Sequence, residues 1–228
     1  MFKKALADLK RIRSVDWRWL VIWIAIYASF LFLDILAPGF LGATLIKYAG
    51  LFLCLVYAYQ KFRTDTLLIL ALLLTLLADT ILVWTPWQVP GVYCFVFAQF
   101  FHIARFTLAQ PKSLIVFFII VLLAFLAAIT QGIPPIYAIA FIYASALLLN
   151  VFLSISWYRR DKHNFHARCA TYGFLLFLAC DLSVALQYLA INNVLPTIIL
   201  PVVSYLVWLF YYPSQVLISN SSDLTTKK

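Results

Sequence analysis

The sequence is poor in charged residues. Only 11% of its 228 residues are Asp, Glu, Lys or Arg, whereas 65% are apolar and the mean hydropathy is +0.99. A soluble globular core does not account for such a composition, so the class of soluble domains is excluded. We therefore predict an integral membrane protein.

Metal-binding side chains are equally scarce. The chain has 3 His and 4 Cys, and the cysteines show no C-x-x-C spacing. A zinc site needs three or four converging ligands. Only His102 lies within a predicted span, because His163 and His166 belong to a basic loop that we interpret as solvated. We predict no metal and no cofactor, and we interpret the cysteines as buried thiols without a special role.

Long apolar runs take the place of the missing charges. A helix needs about 20 residues to cross about 30 Å of hydrocarbon. Turn signals divide the chain into eight such runs, approximately Trp17–Leu36, Phe40–Tyr59, Thr66–Trp84, Gly91–Ala109, Leu114–Thr130, Pro135–Ser156, Ala170–Ala190 and Leu195–Ile218. All connections but one are short, so we expect consecutive helices to be antiparallel neighbours in one bundle. The prediction is a single membrane domain over residues 1–228.

Positive charge occurs in every second loop between the predicted spans. The net charge is +9, and the positive-inside rule then assigns both termini to the cytoplasm, with a basic tail at 1–16 and a polar tail at 219–228. We expect a multi-pass protein, of the inner membrane if the source is bacterial, with lipid contact and no nucleic-acid partner. Apart from Lys47 and Arg105, the 17 basic residues lie in the two terminal segments and in alternate loops: Lys3, Lys4, Lys10, Arg11, Arg13, Arg18, Lys61, Arg63, Lys112, Arg159, Arg160, Lys162, Arg168, Lys227 and Lys228.

Two aspartates stand inside predicted spans. Asp79 occurs in LLADTILVW and Asp181 in FLACDLSVAL, and both segments are Leu-rich. An acid at this depth is costly, so it usually faces a protein interior and has a function. We expect the two to converge on a shared water-accessible hollow. Their similar settings also suggest a four-plus-four helix repeat, a pattern known in transporters.

Further polar residues mark the other spans. Lys47, in the second span, matches Asp79 in depth, so we expect an ion pair between them, although snorkelling to the headgroups is an alternative. For Asp34 we expect a structural or solvated role. His102 is expected near the bilayer midplane, with Arg105 one turn further on its face. Other candidates for packing or for lining a cavity are Gln99, Tyr143, Asn150, Tyr211 and Gln215, and Pro213 is expected to free a carbonyl near Gln215.

The order of these residues resembles one family. A lysine in LIKYAG, a Leu-rich segment with Asp79, an F-x-x-x-H segment with His102, a tyrosine at 143, an acid at 181 and a terminal W-x-x-Y-x-x-x-Q are similar to the YhhN family, the lysoplasmalogenases with eight spans. The positions that depart from the usual pattern are Tyr48, Ala78, Arg105 and Cys180.

The resemblance implies hydrolysis of the vinyl ether bond of a lysophospholipid, which yields a fatty aldehyde and a glycerophospho-ethanolamine or -choline. Asp79 and Asp181 would then be the catalytic acid-base pair, because burial lets one carboxyl group stay protonated while the other orients water. A lysine beside Asp79 would make Asp181 the proton donor. Substrate-binding roles fall to Lys47, His102, Arg105, Tyr143, Asn150, Tyr211 and Gln215.

Two other function classes fit the same residues. A proton-coupled transporter of small molecules also uses aspartates at mid-depth and paired halves. A lysolipid-binding protein without catalytic activity would explain the altered neighbours of the acids. An intramembrane aspartyl protease fits less well, since neither acid stands in a YD or GxGD setting. The sequence does not predict the head group or the oligomeric state.

Overall fold

The protein is all-helical in the residues that the computed structural model describes, which are 16–37, 39–107, 111–132 and 134–222. These residues form eight α-helices and one short 3-10 helix at Thr197–Ile199, and they contain no strand. The prediction of an all-helical protein is confirmed. The helices are α1 Trp17–Leu36, α2 Leu41–Lys61, α3 Thr66–Trp84, α4 Gln88–Thr107, α5 Pro111–Thr130, α6 Pro135–Arg160, α7 Phe165–Ile191 and α8 Leu200–Ser219.

Seven of the helices in the described residues are long and apolar enough to cross a membrane. The chain is therefore a multi-pass membrane protein. Within the described residues of α5, the apolar stretch is Val121–Thr130, which is shorter than a membrane span. An eighth span therefore stays a prediction. The orientation of the termini stays a prediction too, because most basic residues of the tails, including Lys3 and Lys228, lie outside the described residues.

Side-chain caps explain where three helices begin. Asp16 accepts a hydrogen bond from the amide of Arg18 at 3.2 Å, and Asp65 accepts one from the amide of Leu68 at 3.2 Å. Asn164 accepts from the amides of His166 at 2.9 Å and Ala167 at 3.1 Å. The Asn164 cap starts α7 at Phe165, earlier than the predicted Ala170, because a satisfied N-terminus lets the helix extend into the basic loop.

The helices group into two compact units. The terminal unit comprises α1, α2 as far as Tyr57, α7 and α8, and the central unit comprises residues 58–160 with α3 to α6. The compact units thus join the first two helices with the last two. The four-plus-four helix repeat stays a prediction.

Small residues allow close helix contacts in the terminal unit. A Cβ atom on Gly173 of α7 would lie 3.1 Å from the amide nitrogen of Ile218 and 3.2 Å from the carbonyl oxygen of Ser214. A Cβ atom on Gly50 of α2 would lie 2.9 Å from the side chain of Ile26 on α1. Helix backbones approach this closely in membranes because packing, more than burial from water, holds them together.

The end of α8 is anchored within the terminal unit. Ser219 to Ser222 are buried, although they open the predicted polar tail. The Tyr57 hydroxyl donates to Asn220 Oδ1 at 2.7 Å, and His166 Nδ1 lies 2.7 Å from the Asn220 carbonyl oxygen. These polar residues are buried because they satisfy one another and the last turn of α8.

In the central unit, α4 is the helix against which the others pack. It contacts α3, α5 and α6. The apolar centre of this unit is formed by Ile103 on α4 and Ala146 on α6, with partly buried apolar side chains around them at Phe100, Val121, Leu149 and Leu153.

Candidate functional site

The terminal unit contains an ion pair between Lys47 of α2 and Asp34 of α1. Lys47 Nζ lies 2.7 Å from Asp34 Oδ2 and 2.9 Å from Oδ1, so one ammonium group contacts both carboxylate oxygens. The side chains are 8% and 18% exposed. The predicted partner of Lys47 is Asp79, and the structure instead gives it Asp34. The assignment of Asp181 as proton donor rests on a lysine beside Asp79, and it stays a prediction.

Aromatic rings surround the Lys47 ammonium. Nζ lies 4.7 Å from the ring centroid of Trp208 on α8 and 5.6 Å from that of Phe30 on α1, which is the range of a cation–π contact. The Trp208 ring is held edge-on against Tyr211 with the centroids 5.5 Å apart. The ammonium therefore contacts one carboxylate and two aromatic rings, and we call this group the ammonium site (Asp34, Lys47, Phe30 and Trp208).

Asp181 lies on α7 at the level of Trp208 and Tyr211. Gln187 Nε2 donates to Ser204 Oγ at 3.0 Å, which fixes the register of the two helices. The helices run antiparallel, so the residue on α8 opposite Asp181 comes about six positions after Ser204. Tyr211 is buried, with its ring centroid 5.6 Å from that of Phe177. The terminal unit thus brings Asp181 close in depth to the ammonium site.

Pro213 shapes α8 below this level. A proline has no amide hydrogen, so the carbonyl of Leu209, four residues earlier, loses its helical donor. The hydroxyl of Tyr27 on α1 donates to that carbonyl at 2.8 Å. The expected free carbonyl near Gln215 is therefore the Leu209 carbonyl, which is already satisfied. Gln215 itself is buried, 3.5 Å from Ser214 Oγ.

In the central unit, Asp79 is 8% exposed and lies on α3 near the start of α4. Ala78 precedes Asp79 on α3, and a Cβ atom on Gly91 of α4 would lie 3.5 Å from the Ala78 carbonyl oxygen. The two helices therefore touch at this level. Tyr143 contacts Phe95, one turn after Gly91, with ring centroids 5.8 Å apart. The predicted site residues Asp79 and Tyr143 therefore lie at similar depth.

A buried amide pair links α4 and α6. Asn150 Nδ2 donates to the side-chain oxygen of Gln99 at 2.8 Å and to its carbonyl oxygen at 3.0 Å. Both side chains are 0% exposed. Gln99 Nε2 and Asn150 Oδ1 have no hydrogen-bond partner among the described residues. Asn150 therefore joins two helices, one of the two roles expected from the sequence.

His102 and Arg105 lie at the other end of the central unit from Asp79. The Arg105 guanidinium contacts Asp65 Oδ2 through Nε at 3.2 Å and Nη2 at 3.1 Å. Its Nη1 lies 3.3 Å from His102 Nδ1, which must be the acceptor because arginine only donates. The 14 residues from Asp65 to Asp79 span about 21 Å of helix. His102 lies between the middle and the end of α4, and its expected position near the bilayer midplane stays a prediction.

Two residues were missed as ion-pair partners, although the sequence carries a signal for one of them. Asp34 and Lys47 lie on opposite sides of a short turn between consecutive helices, so their depths match as well as those of Lys47 and Asp79 do. Asp65 lies in a predicted loop. In the structure its side chain caps the start of α3 and also contacts Arg105. Hairpin neighbours should be considered first when an ion pair is inferred from depth alone.

A protein-family model described as YhhN family matches residues 42–222, most of the chain. The matched part contains all the predicted site residues, from Lys47 to Gln215, but not Asp34. No curated protein and no solved structure matches the chain. The family resemblance read from the sequence is confirmed. The prediction that Asp79 and Asp181 converge stays a prediction.

Proposed function

The chain belongs to the YhhN family, and from that membership we propose that it is a lysoplasmalogenase-like ether hydrolase. The substrate is a lysophospholipid whose chain is attached through a vinyl ether. The catalytic groups are the carboxyl groups of Asp79 and Asp181.

The reaction needs one acid and one base. One carboxyl group donates a proton to the outer alkene carbon, and the ether oxygen stabilises the resulting oxocarbenium-like cation. The second, ionised, takes a proton from water as the water adds to the carbon bonded to oxygen. The hemiacetal then breaks its carbon–oxygen bond to give the aldehyde and the glycerophospho compound. Water is consumed and the protons are returned, so no cofactor is required.

One observation carries the proposal. Within the residues that match the family, α3 and α7 are long and apolar enough to cross a membrane, and each carries a single carboxylate in its interior. Carboxylates in such helices are costly and are retained for function.

The remaining predicted site residues divide into two groups. Tyr211 and Tyr143 lie near the depth of Asp181 and Asp79 respectively, each within its own unit, and we assign them to hydrogen bonding around the substrate, with Gln215. Asn150, His102 and Arg105 contact protein groups, so we assign them to holding the central unit together.

The test is aldehyde release by the purified protein and by Asp79→Asn and Asp181→Asn. Removing a general acid or base should lower the rate by about 100-fold or more. Asp16→Asn is a matched control, because asparagine caps a helix as well as aspartate does. Elution as a single species in detergent confirms that each variant folds.

A panel of vinyl-ether, acyl and alkyl lysolipids separates the function classes. Cleavage of the vinyl ether alone supports the proposal, and substantial activity in both aspartate variants removes these residues from the mechanism. No cleavage by the unaltered protein, together with uptake into proteoliposomes, would establish a transporter instead.

A further inference from the structure

The ammonium site has the composition of a receptor for a zwitterion. It contains one cation, one anion and two aromatic rings, all on helices of the terminal unit. We propose that it binds the phosphoethanolamine head group of the substrate, with the phosphate on Lys47 and the ammonium on Asp34 against Trp208. This inference rests on the proposed function, and it adds the identity of the head group and a residue, Asp34, that precedes the family-matched part of the chain.

The Lys47–Asp34 pair is suited to exchange of partners. Both oxygens of Asp34 contact the same ammonium group, and Asp34 makes no other side-chain hydrogen bond among the described residues. Its side chain is 18% exposed, so a ligand can approach the carboxylate. Lysine has a long, flexible stem with a point charge at its end. A side chain of this kind can turn from Asp34 to a phosphate.

Charge balance selects the head group. A phosphate that takes Lys47 leaves the Asp34 carboxylate without a cation, and an uncompensated buried charge is strongly unfavourable. A head group that brings its own ammonium restores the balance, since two ion pairs replace one. An anionic head group without an amine does not. The site therefore discriminates against lysolipids that carry phosphate alone.

We expect the ligand group that replaces the Lys47 ammonium on Asp34 to be a primary ammonium. Ethanolamine, like lysine, ends in an –NH₃⁺ group with three donors, so it can contact both oxygens of Asp34 as Lys47 does. The trimethylammonium group of choline balances the charge of Asp34 but has no N–H donor, so it makes no hydrogen bond to the carboxylate and keeps the contact with the Trp208 ring. The expected order of affinity is ethanolamine, then choline, then an anionic head group.

Binding is measured with saturated 1-O-alkyl lysolipids, which lack the vinyl ether and cannot be cleaved by this chemistry. Isothermal titration calorimetry in detergent compares the ethanolamine, choline and phosphate-only forms. Loss of the charged hydrogen bond in Asp34→Asn should weaken ethanolamine binding about tenfold and choline binding less, because choline loses only the attraction between the two charges. Asp16→Asn, the same change at the other end of α1, should bind all three lipids as the unaltered protein does.

This test separates the head-group proposal from the hydrolase proposal. If the protein cleaves no vinyl ether but binds the three lipids in the expected order, with the ethanolamine preference lost in Asp34→Asn, the head-group site stands and the hydrolase proposal fails. If the unaltered protein does not distinguish ethanolamine from the phosphate-only form, the site is wrong whether or not there is hydrolysis. That measurement needs no variant, so a poorly folding Asp34→Asn protein does not prevent a decision. Equal affinity of Asp34→Asn and the unaltered protein for the ethanolamine lipid would also overturn it.

Discussion

Among the described residues, each unit contains an ion pair with little exposure to solvent, and the two pairs are built differently. In the central unit, Asp65 uses Oδ1 to cap α3 and Oδ2 to bind Arg105, and the third nitrogen of Arg105 contacts His102. In the terminal unit, Asp34 contacts Lys47 alone, and the cation is surrounded by aromatic rings.

The difference separates a structural pair from one that can exchange. Arginine presents a rigid fork that fixes its acceptors in place, whereas the lysine ammonium is a flexible point charge. The Arg105 pair joins the start of α3 to the end of α4, and replacing either side chain disrupts a cap or a helix contact. The Lys47 pair joins two helices with no backbone group involved. Burial of an ion pair therefore does not by itself indicate a ligand site. The other contacts of the two side chains determine whether the pair can exchange partners.

The largest effect is expected for the structural pair. Asparagine at position 65 keeps the cap but removes the charge, so Asp65→Asn leaves Arg105 buried without its counterion and should cost about 3 kcal/mol of unfolding free energy. Asp34→Asn should cost about 1 kcal/mol, because its pair is more exposed and the lysine stem can turn to the interface. Chemical unfolding in detergent measures both.

A second substitution provides the control for this comparison. Adding Arg105→Met to Asp65→Asn removes the unpaired charge and should restore part of the stability, since an apolar side chain of similar length fits the site. Equal losses for Asp65→Asn and Asp34→Asn would show that the two pairs are equivalent, against the distinction drawn between them.

The elements were more predictable than their partners. The limits of α1 and α3 follow from the composition of Trp17–Leu36 and Thr66–Trp84, because an apolar run and a cap signal lie in the same short stretch of chain. The partner of Lys47 did not follow. Depth along the membrane normal is readable from a sequence, but Asp34 and Asp79 have similar predicted depths on the helices before and after α2, so depth alone does not choose between them.

The site residues show the same limit. Asp79, Asp181 and Tyr211 were identified from their residue type inside apolar runs. For His102 the structure adds the contact with Arg105, while its depth in the bilayer stays a prediction. The pairing of Gln99 with Asn150 has no local signal, since the two amides are far apart in the chain.

A smaller effect is expected where α1 supports α8 beside the ammonium site. Tyr27→Phe removes the donor to the Leu209 carbonyl, which Pro213 has left without a helical partner, and should cost about 1 kcal/mol. Tyr205→Phe is the matched control, because Tyr205 makes no hydrogen bond within the described residues. The free energy of unfolding of both variants, measured in detergent, tests this difference. If the two changes cost the same, the Tyr27 hydroxyl does not support α8.

The smallest effect is expected for the amide pair of the central unit, which carries no charge. Gln99→Leu and Asn150→Leu each leave one amide buried without its partner, whereas the double variant removes both amides together with their two unpaired atoms. The coupling between the two changes should be about 0.6 kcal/mol, typical of polar pairs between membrane helices. A double-mutant cycle in detergent measures it, with the double variant more stable than the sum of the single losses implies. Strictly additive losses would mean that this pair contributes packing alone, which would leave the Arg105 pair as the main polar link holding α4 in place.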